Sequence, residues 1–130
     1  MLVYLIGASG VGKDSLLDAV RKRRPDLLVA HRYITRPSGV GEDSVALSPA
    51  EFEARRARGL FCLDWVAHGL HYGVGIEVEA WLAAGATVLL NGSRRELAAA
   101  RARFGERLKP VVVTAPPEVL RERLARRGRE

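Results

Sequence analysis

Leu2-Val3-Tyr4-Leu5-Ile6-Gly7-Ala8-Ser9-Gly10-Val11-Gly12-Lys13 opens the chain after its first methionine. A continuous apolar run passes into a glycine, four residues and then Gly-Lys, the pattern of a phosphate-binding loop when it joins a strand to a helix. The glycines let the backbone fold so that successive N–H groups converge on phosphate oxygens. A helix starting near Gly12 would add its free N–H groups and the positive end of its dipole at the same point. Lys13 could then reach the terminal phosphates of a nucleoside triphosphate and offset their charge. Gly7, Ala8, Ser9, Gly10, Val11, Gly12 and Lys13 are therefore the expected nucleotide-binding residues.

The next position departs from the usual pattern. Ser or Thr is expected after Gly-Lys, with its hydroxyl on Mg²⁺, but Asp14 stands there and Ser15 follows. A carboxylate is a hard oxygen ligand for Mg²⁺. Either Asp14 takes the metal, or Ser15 fills the hydroxyl's place and Asp14 stabilises the first helical turn. Both residues join the expected nucleotide and metal site.

With 130 residues, 48% hydrophobic and 28% charged, the chain is expected to be one soluble domain with a modest core. Twenty-one Lys and Arg against 15 acids leave a net charge of +6, suited to anionic ligands. The arginines are spread along the whole chain and aromatics make up only 6%, so nucleic acid is not an expected partner. Cys62, the single cysteine, lies in the apolar run Leu60–Leu63 and reads as a buried small hydrophobe. No segment approaches a membrane span and no basic flank precedes the apolar start. The expected location is cytoplasmic, without a membrane partner.

Strands and helices alternate along the sequence. Strands are expected at 2–6, 27–30, 87–90 and 111–113. Helices are expected at 12–24, 49–58, 75–84, 94–104 and 117–127, the second opened by Ser48 and Pro49 and the third closed by Gly85. Between 31 and 75 the texture changes to short segments punctuated by Gly, Pro and Ser. Right-handed crossovers then imply a three-layer α/β fold of the P-loop NTPase type, a parallel sheet with helices on both faces. Ligands in such sheets lie beyond the carboxyl ends of the strands. The loops at 7–13, 31–37, 91–94 and 114–117 are the ones to inspect.

Those loops carry a resemblance. The layout is similar to the guanylate-kinase-like branch of small P-loop kinases. Gly12-Lys13-Asp14-Ser15, His31-Arg32-Tyr33-Ile34-Thr35-Arg36-Pro37, Tyr72-Gly73-Val74-Gly75 and Asn91-Gly92-Ser93-Arg94 resemble the ribose 1,5-bisphosphate phosphokinase family within it. The resemblance implies a single P-loop kinase domain over 1–130, with a core at 1–30 and 86–130. It implies a small acceptor-binding insertion at about 31–85 and the start of a lid at about 121–130. It also implies ATP and Mg²⁺ as cofactors, and a phosphotransferase using a phosphate group as acceptor. The product would be 5-phosphoribosyl 1-diphosphate (PRPP), a step of phosphonate metabolism.

Guanylate kinases read their base with a carboxylate, a hydroxyl after Tyr-Gly, a serine ahead of Thr-Thr-Arg, and acids after the third strand. The matching positions here are Asp64, Val74, Arg32, and Asn91 with Ser93. Val74 can neither donate nor accept, and a base left with an unpaired buried polar group loses about 1–3 kcal/mol. Arg32, Asn91 and Ser93 instead favour a sugar with extra phosphate charge. The second arginine usual beyond Thr-Arg-x-Pro is missing, Ser38 and Gly39 standing there, so Arg32 could supply that charge. Arg36 is expected to hold the acceptor's phosphate through its fork of donors. Tyr72 either bonds a phosphate oxygen or packs, and Asn91, Ser93 and Arg94 complete the expected substrate set. His31, His68 and His71 are too scattered for a metal site, and His31 reads as a polar wall of the acceptor pocket.

Near the end, Arg121–Gly128 resembles the start of a kinase lid, with Arg123 and Arg127 four apart on one helix face. These two are expected to close over the triphosphate, and with Lys13 and Arg36 they make up the expected catalytic residues. No strong general base is required when the acceptor is already a phosphate. The chain stops at Glu130, where the resemblance implies a further strand and helix. The expectation is a truncated chain or one completed by a homodimer partner, with the fourth strand left at a sheet edge. The alternatives are a guanylate-kinase-like nucleoside monophosphate kinase and a non-catalytic phospho-ligand-binding module of the same fold.

Overall fold

The computed structural model describes residues 1–7, 13–36 and 44–114, with every side chain in them except that of Asp14. Strands β1 (Leu2–Ile6), β2 (Leu28–Val29), β3 (Arg32–Ile34), β4 (Ser44–Ala46), β5 (Phe61–Ala67), β6 (Leu70–Gly75), β7 (Val88–Asn91) and β8 (Leu108–Val112) form two four-stranded sheets. The helices are α1 (Lys13–Arg23), α2 (Pro49–Ala57), α3 (Glu77–Ala83) and α4 (Leu97–Phe104).

The first sheet has the order β2-β7-β1-β8 and is parallel throughout. Its central strand β1 is apolar at every position because both of its faces are covered. Leu2, Tyr4 and Ile6 point into one cluster, with Val78 and Leu82 of α3 and Ala100 and Phe104 of α4. Leu5 joins Leu17 of α1, Val29 and Leu89 on the opposite face. Strand β8 ends the sheet among the described residues, beginning at Leu108 rather than at Val111 as the valine run suggested.

The second sheet, ordered β4-β3-β6-β5, is mixed: β3 runs parallel to β4 and antiparallel to β6, and β5 pairs antiparallel with β6. These four strands are the main element that sequence periodicity passes over. They are short, interrupted by glycine, and stabilised from outside their own span. Cys62, Leu63 and Val74 enter the same core cluster as β1, which fastens the two sheets together. On the far side Phe52 of α2 stacks on Phe61 at 4.6 Å, with Tyr33 and Leu47 alongside. The ring of Phe61 lies over Gly73, so that a Cβ there would fall 2.8 Å from it. The β5–β6 hairpin turns on His68 (φ 53°) and Gly69 (φ 74°), two positive values that match the twist of a tight hairpin.

Helix boundaries follow local chemistry. Ser48 caps α2, its Oγ accepting from the Glu51 N–H at 3.1 Å, with Pro49 at the first helical position. Gly85 (φ 86°) ends α3, donating to the Leu82 carbonyl while Ala86 donates to that of Trp81. Helix α3 starts at Glu77, later than expected, because Gly75 closes β6 against Phe61. Helix α4 starts at Leu97, because 92–96 form the turn that leaves the carboxyl end of β7. The expected helix at 117–127 lies outside the described residues. Among the described residues no helix is long and apolar enough to cross a membrane.

Candidate functional site

The carboxyl ends of the parallel strands meet beside the start of α1. The Gly92 N–H donates to the Leu5 carbonyl at 2.8 Å, and the Val113 N–H to the Ile6 carbonyl at 2.8 Å. Gly7, Gly92 and Val113 thus leave the sheet side by side, at the edge where open α/β sheets bind ligands. Lys13 is the first residue of α1 and is half-buried; its Nζ donates to the Gly92 carbonyl at 3.4 Å. Ser15 is exposed in the same first turn. Asn91 and Ser93 are half-buried and Arg94 is exposed. Ala8 to Gly12, the side chain of Asp14, Arg123 and Arg127 lie outside the described residues.

Tyr4 is a residue of this site that sequence reading leaves in the core. Its ring is 1% exposed, yet its hydroxyl donates to the Ser93 carbonyl at 2.6 Å and accepts from the Ser93 N–H at 2.9 Å. The ring presses so closely on Gly92 that any Cβ there would collide with it. Burial raises the phenol's pKa above its ordinary value of 10.0, so the hydroxyl stays protonated through the neutral range. The one available signal was a polar atom inside an otherwise aliphatic buried strand.

The acceptor candidates stand on the mixed sheet. Arg32 of β3 lies directly opposite Val74 of β6, and Ile34 opposite Tyr72. The Arg32 guanidinium sits over the Tyr72 ring, 5.8 Å from its centroid, within cation–π range. Tyr72 in turn stacks on Trp65 of β5 at 5.6 Å, with the planes 4° apart. Tyr72 therefore packs between Trp65 and Arg32 while remaining half-buried. Trp65 reaches this position through register alone, since it pairs with Tyr72 across β5–β6.

Beyond Ile34 the β3–β6 ladder continues one residue. Thr35 donates its N–H to the His71 carbonyl at 3.1 Å, and its Oγ1 accepts from the His71 N–H at 2.9 Å. This double contact anchors the start of the loop carrying Arg36, whose Nε is shut away from solvent. His31 is exposed after β2 and His68 serves the hairpin turn. Among the described residues no three His, Cys, Asp or Glu side chains gather as a metal site.

Comparison with known proteins agrees with this arrangement. A family profile described as "AAA domain" matches residues 3–130. The chain is 56% identical to "Ribose 1,5-bisphosphate phosphokinase PhnN" of Enterobacter lignolyticus, over 99% of this chain and 69% of that protein. It is 53% identical to the protein of the same name from Burkholderia pseudomallei, over 99% of this chain and 71% of that one. The chain belongs to the ribose 1,5-bisphosphate phosphokinase family. Among solved structures, guanylate kinase from Anaplasma phagocytophilum superimposes with a TM-score of 0.72 at 22% identity, over 95% of this chain and 64% of that one. That likeness establishes the guanylate-kinase-like P-loop fold.

For a member of this phosphokinase family, the outer face of the mixed sheet is a structural support. The Tyr33 hydroxyl donates to Glu77 Oε1 at 3.1 Å, and the Arg55 guanidinium lies over its ring at 5.3 Å. These contacts tie β3 to α3 and α2. Cys62 is 5% exposed, and burial pushes its thiol up to about 11, which keeps it protonated and unreactive near neutrality.

Proposed function

We propose that the chain transfers the γ-phosphoryl group of ATP to a phosphate of ribose 1,5-bisphosphate, giving 5-phosphoribosyl 1-diphosphate and ADP, in the cytoplasm where ATP is made. A bond forms between an acceptor phosphate oxygen and the γ-phosphorus, and the bond from that phosphorus to the β,γ-bridging oxygen breaks. The observation that carries this reading is the cross-strand pairing of Arg32 with Val74. Two positions that would offer hydroxyls to guanine are neighbours in the fold. Here Arg32 puts a cation on an aromatic platform, and Val74 is wholly buried in the core with no hydrogen-bonding group to offer. Such a pair offers a purine edge no hydroxyl and offers a second phosphate a cation.

Lys13 and the loop at 7–12 would hold the triphosphate, with Arg123 and Arg127 covering it. Arg36 and Arg32 would hold the acceptor, and Tyr72, Asn91, Ser93 and Arg94 would border it. The first turn of α1 fits a Mg²⁺ ion, since Ser15 is open to solvent there beside Lys13 and both Ser15 and Asp14 are hard oxygen donors. When bound, the ion would supply charge neutralisation between the phosphates. The chain's own task is positioning: it brings two polyanions into line and offsets their repulsion with fixed cations.

The test is phosphorus NMR of a mixture of the chain, ATP, Mg²⁺ and ribose 1,5-bisphosphate. A new diphosphate at the sugar's C1, growing with ADP, is expected. Transfer to GMP in preference to the sugar would overturn the reading in favour of a nucleoside monophosphate kinase.

A further inference from the structure

In the contact between Tyr4 and Ser93 one buried hydroxyl both donates to and accepts from a single residue's backbone. Here both hydrogen-bonding capacities are spent on a peptide that leaves the sheet at its ligand-binding edge. The preceding residue, Gly92, is held at three points. Its N–H is fixed to the Leu5 carbonyl, its Cα is seated against the Tyr4 ring, and its carbonyl faces the Lys13 ammonium at 3.4 Å.

We propose that Tyr4 is a positioning residue for nucleotide binding: by clamping the Gly92–Ser93 segment from below, it fixes the carbonyl against which Lys13 rests before the triphosphate enters. Held there, the Lys13 side chain is ordered near its working position, and less of its rotamer freedom remains to be lost when phosphate replaces the carbonyl. Lys–carbonyl contact is weaker than Lys–phosphate contact, so the rest does not compete with the ligand. Gly92 is required by the same device, because any side chain would push the carbonyl and the ring apart. The acceptor residues on the mixed sheet do not touch this clamp. Its loss should therefore fall mainly on ATP, with a smaller effect on the sugar through Ser93, which borders both ligands.

The inference rests on the proposed nucleotide site, and the test separates the two. ATP and ribose 1,5-bisphosphate affinities are measured by calorimetry for the unmodified chain, Tyr4→Phe, Gly92→Ala and Phe104→Leu. Tyr4→Phe keeps the ring and removes only the hydroxyl. It is expected to weaken ATP about tenfold, the scale of one or two lost hydrogen bonds, and to weaken the sugar clearly less. Gly92→Ala should do the same or more. Phe104→Leu loosens the same core cluster away from the clamp and should lower the melting temperature without changing ATP affinity. Hydrogen exchange at the Ser93 amide should accelerate in Tyr4→Phe, which reports the clamp even if ATP binding is too weak to compare.

Unchanged ATP affinity in a folded Tyr4→Phe overturns the inference and spares the nucleotide site. An equal loss for ATP and sugar, or an ATP loss matched by Phe104→Leu, also overturns it, because either marks general loosening. Failure of the unmodified chain to bind ATP removes both the clamp's purpose and the nucleotide site.

Discussion

The parallel sheet and the mixed sheet bring different chemistry to the proposed site. At the edge of the parallel sheet the chemistry is carried by backbone: the carbonyl of Gly92, the peptide of Ser93 and the amino end of α1. On the mixed sheet it is carried by side chains, with Arg32 resting on Tyr72 and Arg36 in a loop pinned through Thr35. Backbone groups are present whatever the residue, so the nucleotide edge tolerates little change in shape and offers little variety in chemistry. Side chains can be exchanged without moving strands. In the proposed reading the mixed sheet is thus where one fold can change its acceptor without moving its strands.

That contrast can be broken most forcefully at Lys13. Lys13→Ala is expected to reduce phosphoryl transfer by about a hundred- to a thousandfold, the scale for removing one preorganised charge from a developing anion. Steady-state rates at saturating acceptor measure it, and a rate within a few-fold of the unmodified chain would place the phosphate cradle elsewhere. Arg36→Ala should next weaken the acceptor by about ten- to a hundredfold, as expected for charge-assisted hydrogen bonds, while ATP affinity holds. Equal weakening of both ligands in calorimetry would erase the division between the two sheets.

The smallest effect sharpens the comparison. Arg32→Ser restores a small hydroxyl opposite Val74 and should weaken the sugar about tenfold without creating guanylate binding, because Val74 still offers no partner to a base. Competition between GMP and the sugar measures this. Appearance of tight GMP binding in the single variant would show that Val74 does not exclude guanine.

The two sheets also differed in how plainly the sequence announced them. Strand β1 could be read at once, since an unbroken apolar run before a glycine-rich turn has few interpretations. Helix α2 was equally clear, because Ser48, Pro49 and Glu51 form a local signal whose physics lies within one turn. The mixed sheet was not legible as strands. Gly73 and Gly75 in β6 are poor strand formers in isolation, and they are tolerated because the Phe61 ring and the Glu77 carboxylate fill the space a side chain would take.

The candidate site divides along the same line. Lys13, Arg32, Arg36 and Tyr72 were named from residue type and motif. Trp65 was not, because its part depends on pairing with Tyr72, and pairing is a non-local property. Tyr4 escaped for a different reason. A tyrosine within an apolar strand looks like packing until the residue that receives its hydroxyl, 89 positions away, is brought to it.

By itself the sequence determined the elements whose causes are local: the capped helix α2, the glycine that closes α3, and the apolar strand buried on both faces. Only the tertiary structure decided which residues share a surface. Register set Arg32 against Val74 and Trp65 against Tyr72, and the parallel crossover carried Gly92 and Ser93 onto Tyr4. The physical reason is that propensity and capping act within a turn of chain, whereas cross-strand packing and buried hydrogen bonds join residues whose separation along the chain encodes nothing about their distance in space.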